Sequence, residues 1–371
     1  MRVLVLNAGS STLKASVLDG DSRDPLFATT LDWGADATRA AGRLDDFEAL
    51  LEHLVVEGIP VGSIEAVGHR VVHGGTRFTA PVVVDDDVLA ALDELAGLAP
   101  LHNPIAVEAI RAALAALLGV PEVAAFDTAF HATLAPPAFT YALPAAWTER
   151  HGLRRFGFHG LSVAWAVTRA AELLVAPTTE LALVVAHLGS GCSVTAVDGG
   201  RSAWTSMGMT PLEGLMMGTR SGSVDPGILV RLLRAGLSAD EIDEGLEHRS
   251  GLLGVAGSAD MRDLLEHEED GDGRAALAIE IFVRRAAEAI AAAVTALPHL
   301  DALVFTGGIG EHAGQVRQRI VGRLGSVGLA RSLADPRDDA VLTDRARRPA
   351  VLRVTAREDV VIAEATRSLV A

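Results

Sequence analysis

From Val3 to Gly20 the chain reads VLVLNAGSSTLKASVLDG, two apolar runs on either side of a small polar loop, Asn7-Ala8-Gly9-Ser10-Ser11-Thr12, with Lys14 just beyond it. That pattern predicts two strands joined by a glycine turn. It returns at Leu183 to Gly200, LVVAHLGSGCSVTAVDGG, where an apolar strand, a Gly189-Ser190-Gly191 loop and an alternating strand end in an Asp-Gly turn. An offset of 180 residues lays Gly9-Ser10 on Gly189-Ser190 and Val17 on Val197. A third glycine loop, Gly307, Gly308 and Gly310 in ALVFTGGIGEHAG, follows a strand-like run and precedes a helix-like one. Further strand patterns lie at 64–73 and 122–128, and helical periodicity at 86–97, 103–118 and 274–297. PAVLRVTA followed by EDVVIAEATRSLV closes the chain as a strand and a helix, and EHEEDGDGR (266–274) reads as a solvated loop tip.

A mixed α/β chain of 371 residues exceeds one ordinary core, so two domains are expected, and the repeat makes them duplicates. The fold class is therefore α/β, with a cleft between duplicated domains lined by both glycine turns, whose backbone N–H groups suit oxyanions. No Gly-x-x-x-x-Gly-Lys-[Ser/Thr] motif is present, so the phosphate loops would be hairpin turns.

Composition narrows the class. Hydrophobic content of 49% and a mean hydropathy of +0.31 describe an ordered globular chain. A net charge of −16 excludes a nucleic-acid partner, though local cations can still dominate a small anion's site. The single cysteine, Cys192, allows no internal disulfide and fits a reducing compartment. With no signal-peptide core at the N-terminus and no run of membrane length, the expected location is cytoplasmic, with no membrane partner. Of 32 cationic residues only Lys14 is lysine, and it stands beside the first glycine-serine loop, where a compact ammonium suits phosphate.

Several costly side chains sit in apolar or glycine-rich surroundings: Arg70 in GHRVVHGG, His102 and Asn103 in LAPLHNP, Asp127 and His131 in AAFDTAFH, His159 in RRFGFHG, and Arg220 in EGLMMGTRSG. A buried unpaired charge is expensive, so such groups are paired, exposed or functional. Arg70 with Asp127 could be a structural ion pair, and each histidine a hydrogen-bonded packing residue. Together they read as a phosphoryl-transfer set, in which cations and neutral donors surround the oxygens in flight. Glu358 and Asn7 could supply metal ligands, directly or through water.

The segments NAGSSTLK, GHRVVHGG, LAPLHNP, FDTAFH, RRFGFHG, HLGSG, MGMTPLEGLMMGTRSG, DPG, SGLLG and FTGGIGE run in one order along essentially the whole chain. In that order they resemble the acetate and propionate kinase family of the actin–hexokinase–Hsp70 superfamily. The resemblance implies two actin-like (ribonuclease H-like) domains, 1–128 plus 359–371 and 129–358, the second carrying the nucleotide site. It implies a direct in-line transfer from ATP to a short-chain carboxylate, with ADP and acetyl phosphate or its homologue as products, Mg²⁺ or Mn²⁺ as the metal, and a homodimer.

Residue by residue, it implies that Arg70 and Arg220 hold the carboxylate and the phosphoryl group. His159 would donate to that group, His102 would support it, and Asp127 would orient an arginine or metal-bound water. Asn7 and Glu358 would organise the metal, and Ser10, Ser11 and Lys14 would lie near the phosphates. His187, Gly189, Ser190 and Gly191 would form the second phosphate loop. Asp260, Met261 and Arg262, with Gly308, Ile309 and Gly310, would surround the nucleoside. Val72, Leu101, Phe158 and Pro211 would wall the acid's alkyl end. Departures from the family pattern are Ser190 and His312 for asparagines, Leu161 and Val163 for two polar residues, and Ser223 for an aspartate. Two other readings stand beside this one, a phosphoanhydride hydrolase of the same superfamily and a non-enzymatic nucleotide-regulated binding protein. Two arginines suited to a carboxylate disfavour the first, and 4% aromatic residues give the second no evident partner surface.

Overall fold

The structure is a computed structural model describing residues 1–9, 12–32, 40–99, 102–329, 336, 338–344 and 348–371. It divides into two units, Met1–Ala132 with Arg357–Ala371, and Thr133–Ala356.

The first unit opens on the hairpin β1 (Arg2–Ala8) and β2 (Thr12–Asp19), paired in register from Arg2↔Asp19 to Ala8↔Leu13. Then come β3 (Phe27–Asp32), α1 (Ala40–Val56), β4 (Ala66–Val71), β5 (Val82–Val83), α2 (Asp86–Glu94), α3 (Asn103–Ala116) and β6 (Glu122–Phe126). The sheet order is β3-β2-β1-β4-β6-β5, with β1, β4 and β6 parallel and β2, β3 and β5 antiparallel to their neighbours. Apolar faces explain the layering: Leu4, Leu6, Leu13 and Val17 from the strands meet Phe47 and Leu50 of α1 and Ile105 and Ala109 of α3 in one buried cluster.

The second unit contains α4 (Pro136–Phe139), α5 (Ala145–His151), α6 (Gly160–Leu174), β7 (Ala182–Leu188), β8 (Cys192–Asp198), β9 (Arg201–Thr205), α7 (Pro226–Arg234), α8 (Ala239–His248) and α9 (Gly251–Ala256). It continues through α10 (Met261–Glu269), α11 (Gly273–Val294), β10 (Ala302–Thr306), α12 (Gly307–His312), α13 (Gly314–Gly322), β11 (Ala340–Val341) and β12 (Ala350–Arg353). Its sheet order, β9-β8-β7-β10-β12-β11, repeats the first sheet strand for strand, including the antiparallel edge strand. The chain then re-enters the first unit as α14 (Glu358–Val370), which packs on β4 and β1.

One expectation needs correction. Residues 266–274 are solvated as expected but are only in part a loop: α10 runs to Glu269 and only Asp270–Asp272 lie between it and α11. The acidic run hid an amphipathic helix, whose Met261 and Leu264 are buried and whose Glu268 takes a two-pronged bond from Arg319 of α13 at 2.9 and 2.7 Å. Asp272 caps α11, accepting from the N–H groups of Arg274 and Ala275. Among the described residues no helix is long and apolar enough to cross a membrane.

Candidate active site

In the first unit β1, β2, β4, the end of β6 and the start of α14 gather five of the expected residues. Arg70 stands near the end of β4 and Asp127 one residue past β6, its partner in the parallel ladder, so their side chains meet at the same edge. The guanidinium donates to Asp127 through Nε (3.2 Å) and Nη2 (2.6 Å), and through Nη1 to Asn7 Oδ1 (3.1 Å). Asn7 in turn donates to Glu358 Oε2 at 3.2 Å, and that oxygen lies 3.8 Å from Arg70 Nε. The ion pair between Arg70 and Asp127 is thus formed, and it belongs to a network rather than standing alone. Lys14 is opposite Asn7 in the β1–β2 ladder and exposed.

Electrostatics sharpen the picture. Burial opposes the Arg70 charge, but Asp127 and Glu358 outweigh it and hold the guanidinium above its ordinary pKa. For Glu358, burial pushes the carboxyl up, and Asp127 adds to that, while Arg70 and Lys14 pull it down without fully compensating. Glu358 therefore takes up a proton more readily than a free carboxyl does, and a bound cation would favour its charged form. Asn7, Asp127 and Glu358 present hard oxygen donors, which fit Mg²⁺ in ligand type. Among the described residues no three His, Cys, Asp or Glu side chains are grouped so as to hold a metal ion by themselves.

His102, half-buried, is the residue just before α3. Asn103, which the sequence left without a role, bridges back to His73, donating to its carbonyl (2.9 Å) and accepting from its N–H (3.1 Å), and so fixes the segment that carries Val72. His131 is a packing residue, buried with its ring edge-on to that of Phe130. Ser10, Ser11 and Leu101 lie outside the described residues.

In the second unit the glycine turn between β7 and β8 closes by a bond from Gly189 N–H to the Gly191 carbonyl (3.0 Å). His187 from β7 and His159 from the start of α6 lie with ring centroids 4.2 Å apart and their planes tilted by 33°. Each shares its Nδ1 with a serine hydroxyl, His159 with Ser193 (3.0 Å) and His187 with Ser162 (2.8 Å). Both Nε2 atoms face the turn. A Cβ on Gly191 would sit 3.3 Å from His159 Nε2 and 3.9 Å from Arg220 Nη1, and one on Gly189 would sit 3.8 Å from His187 Nε2 and from Gly308 N. His159 holds this place with φ 59°, a left-handed backbone rare for a residue with a side chain.

Arg220 is aimed by Glu247 of α8, whose Oε2 accepts from its Nε at 2.6 Å. Glu247, Ser162 and Ser193 were not among the expected site residues. Ser193 and Thr195, polar and fully buried on one face of β8, were the readable signal for the serine, whereas nothing local marks Glu247.

A cavity of about 610 Å³ opens beside the turn, lined by Gly189 and Ser190, by Gly308 and Ile309 of α12, and by Asp260, Met261 and Arg262 at the start of α10. His312 stands at its edge and is largely exposed. Asp260 pairs with Arg262 at 2.6 Å, which lowers its carboxyl pKa. Gly310 does not line the cavity and packs instead on β10 and β7. Phe158 is buried and Pro211 half-buried. Leu161 and Val163 are core residues of α6, and Ser223 pairs with Gly214 through both its hydroxyl and its N–H.

The model of the acetokinase family matches residues 34–364. The chain belongs to that family. A Streptomyces griseus acetate kinase is 42% identical over 100% of this chain and 96% of the relative, and one from Leifsonia xyli is 46% identical over 93% and 91%. Among solved structures, a Francisella tularensis propionate kinase superposes with a TM-score of 0.90 at 36% identity, covering 99% of each chain. A Porphyromonas gingivalis acetate kinase gives 0.90 at 33%, covering both chains fully. This acetokinase accordingly has the duplicated actin-like α/β fold, and it is a phosphotransferase with a carboxyl group as acceptor and ATP as co-substrate.

Proposed function

We propose that this acetokinase moves the γ-phosphoryl group of ATP directly and in line to acetate or propionate, reversibly, giving ADP and the acyl phosphate. The observation that carries the reading is the meeting of His159 Nε2 and Arg220 Nη1 at Gly191, on the turn beside the cavity. A phosphoryl group in flight spreads charge over its equatorial oxygens, and a guanidinium, an imidazole donor and glycine N–H groups are what that charge requires. Arg70, held by Asp127 and Asn7, takes the acid's carboxylate. No general base is needed, because a carboxylate nucleophile carries no proton at neutral pH.

Val72, Leu101, Phe158 and Pro211 wall the alkyl end, and His102 supports the transferring group. Ser10, Ser11, Lys14 and His187 attend the phosphates, and the second half of the chain takes the nucleoside at Asp260–Arg262 and at Gly308 and Ile309. Asn7 and Glu358, with Asp127 behind them, hold Mg²⁺. That ion, when bound, neutralises phosphate charge and orients the donor. A cation there would offset the burial that raises the Glu358 carboxyl pKa, and the pairing of Asn7 with Glu358 sets two oxygen donors side by side, which supports this assignment. We place the enzyme in the cytoplasm, where ATP is abundant and Cys192 stays reduced, and propose that it works as a homodimer.

Hydroxylamine trapping tests the reading. Purified protein with ATP, Mg²⁺ and acetate or propionate should yield the acyl hydroxamate with equimolar ADP. Phosphate release without hydroxamate would identify a hydrolase instead.

A further inference from the structure

Apart from the residues assigned above, the second unit contains a polar cluster built on the chain's one tyrosine. Arg155 Nη1 donates to three successive carbonyls, of Thr205 (3.2 Å), Ser206 (2.9 Å) and Met207 (2.8 Å), while its Nη2 donates to Glu213 Oε1 at 2.5 Å. The Tyr141 hydroxyl donates to Glu213 Oε2 at 2.5 Å and accepts from Met209 N–H at 3.0 Å. Between them, the Gly208 carbonyl accepts from the N–H groups of Phe156 and Gly157 at 3.0 and 3.2 Å. A Cβ on Gly208 would lie 1.9 Å from Glu213 Oε2 and 2.3 Å from the Tyr141 hydroxyl, so the cluster closes only around a glycine.

These bonds tie the loop at 206–213 to the segment at 155–157. Each side carries residues of the proposed acid site: Phe158 and His159 follow directly on one, and Pro211 sits within the other. Burial and the Glu213 charge raise the Tyr141 pKa, which keeps its hydroxyl a donor throughout the working pH range. Glu213 has both oxygens engaged by Arg155 and Tyr141, which suits a structural brace.

We propose that Arg155, Glu213 and Tyr141 are positioning residues that set the spacing of Phe158 from Pro211 and thereby the acid's chain-length preference. The inference rests on the reading, given under Proposed function, that these two residues wall the alkyl end. One methylene in an apolar pocket is worth roughly 10- to 200-fold in discrimination, so loosening one wall is legible in that ratio.

The test measures kcat/KM for acetate, propionate and butyrate in wild type, Tyr141→Phe and Glu213→Gln, with KM for ATP and Tm in parallel. Both variants should shift the propionate-to-acetate ratio by about 5-fold or more while KM for ATP stays within about 2-fold. A lowered Tm with an unmoved ratio, or equal shifts in acid and nucleotide KM, overturns the proposal. A wild type that makes no acyl phosphate overturns the underlying reading as well, whereas wild-type turnover with an unmoved ratio in both variants overturns this inference alone.

Discussion

Arg220 illustrates how a site arginine depends on a residue that touches nothing reactive. Its guanidinium is partly buried, and Glu247 holds the Nε edge so that Nη1 faces Gly191. Removing the arginine deletes a cation from the proposed transition state, so Arg220→Ala should lose on the order of 10³-fold in kcat, about 4 kcal/mol. Glu247→Gln keeps a hydrogen-bond acceptor but not the charge, and should cost about 10-fold, near 1.4 kcal/mol, with KM for ATP little changed. Steady-state kinetics on both variants decide the point. A Glu247→Gln enzyme with wild-type kcat beside an inactive Arg220→Ala would show that the arginine needs no anchor. At this scale the sequence was informative about which residue types were out of place, and silent about who holds them. Arg70 in a β-branched run and Asp127 at the end of a small apolar strand stand out because a charge there is costly, and their contact follows from adjacent strands. Glu247 was missed because a glutamate in an acidic amphipathic helix looks like every other glutamate on α8.

Among the elements, α14 shows how tightly secondary structure locates the chemistry. Glu358 is its first residue, and the helix lies against β4 where Gly68 leaves room: a Cβ there would come within 2.5 Å of Thr366 Oγ1 and 2.6 Å of Ile362 Cγ2. Gly68→Ala must therefore lift the helix or distort β4. The expected cost is about 1–3 kcal/mol, a fall in Tm of roughly 2–10 °C, together with lost activity because Glu358 moves with its helix. Gly97→Ala, where a Cβ meets nothing within 4 Å, serves as the control and should be close to neutral. Thermal unfolding of the two variants side by side would refute the packing account if they proved equally stable. The long apolar elements were legible: both hairpins, the strands at β4 and β6, and helices α3, α11 and α14 carry clear periodicity. The two-residue edge strands β5 and β11 are too short to show any period, and the acidic end of α10 mimicked a loop because its partner, Arg319, comes 51 residues after Glu268.

For the molecule as a whole, the 180-residue offset between hairpins was the most far-reaching sequence observation, since it anticipated two sheets of one topology. What it could not anticipate is α7. This nine-residue helix places Ile228, Leu229, Val230, Leu232 and Leu233 along its length, yet none of its residues is buried. So short a helix is marginal alone, and its stability in water normally comes from covering its apolar residues. Ile228, Val230 and Leu233 are each nearly half exposed, and Leu237 just beyond adds to the patch. The occupant we expect is a second copy of the chain. Two copies each carrying −16 repel, so association needs apolar area of the kind α7 offers, and a stable interface buries at least about 1,000 Å². Added salt should then strengthen the pair by screening that repulsion, the reverse of its effect on a contact held by ion pairs. Sedimentation should find wild type at about twice the chain mass of 38.6 kDa, and Ile228→Glu with Leu233→Glu at the single mass, both variant and wild type folded by circular dichroism. A wild-type monomer, or a double variant that stays paired, would take α7 out of the interface.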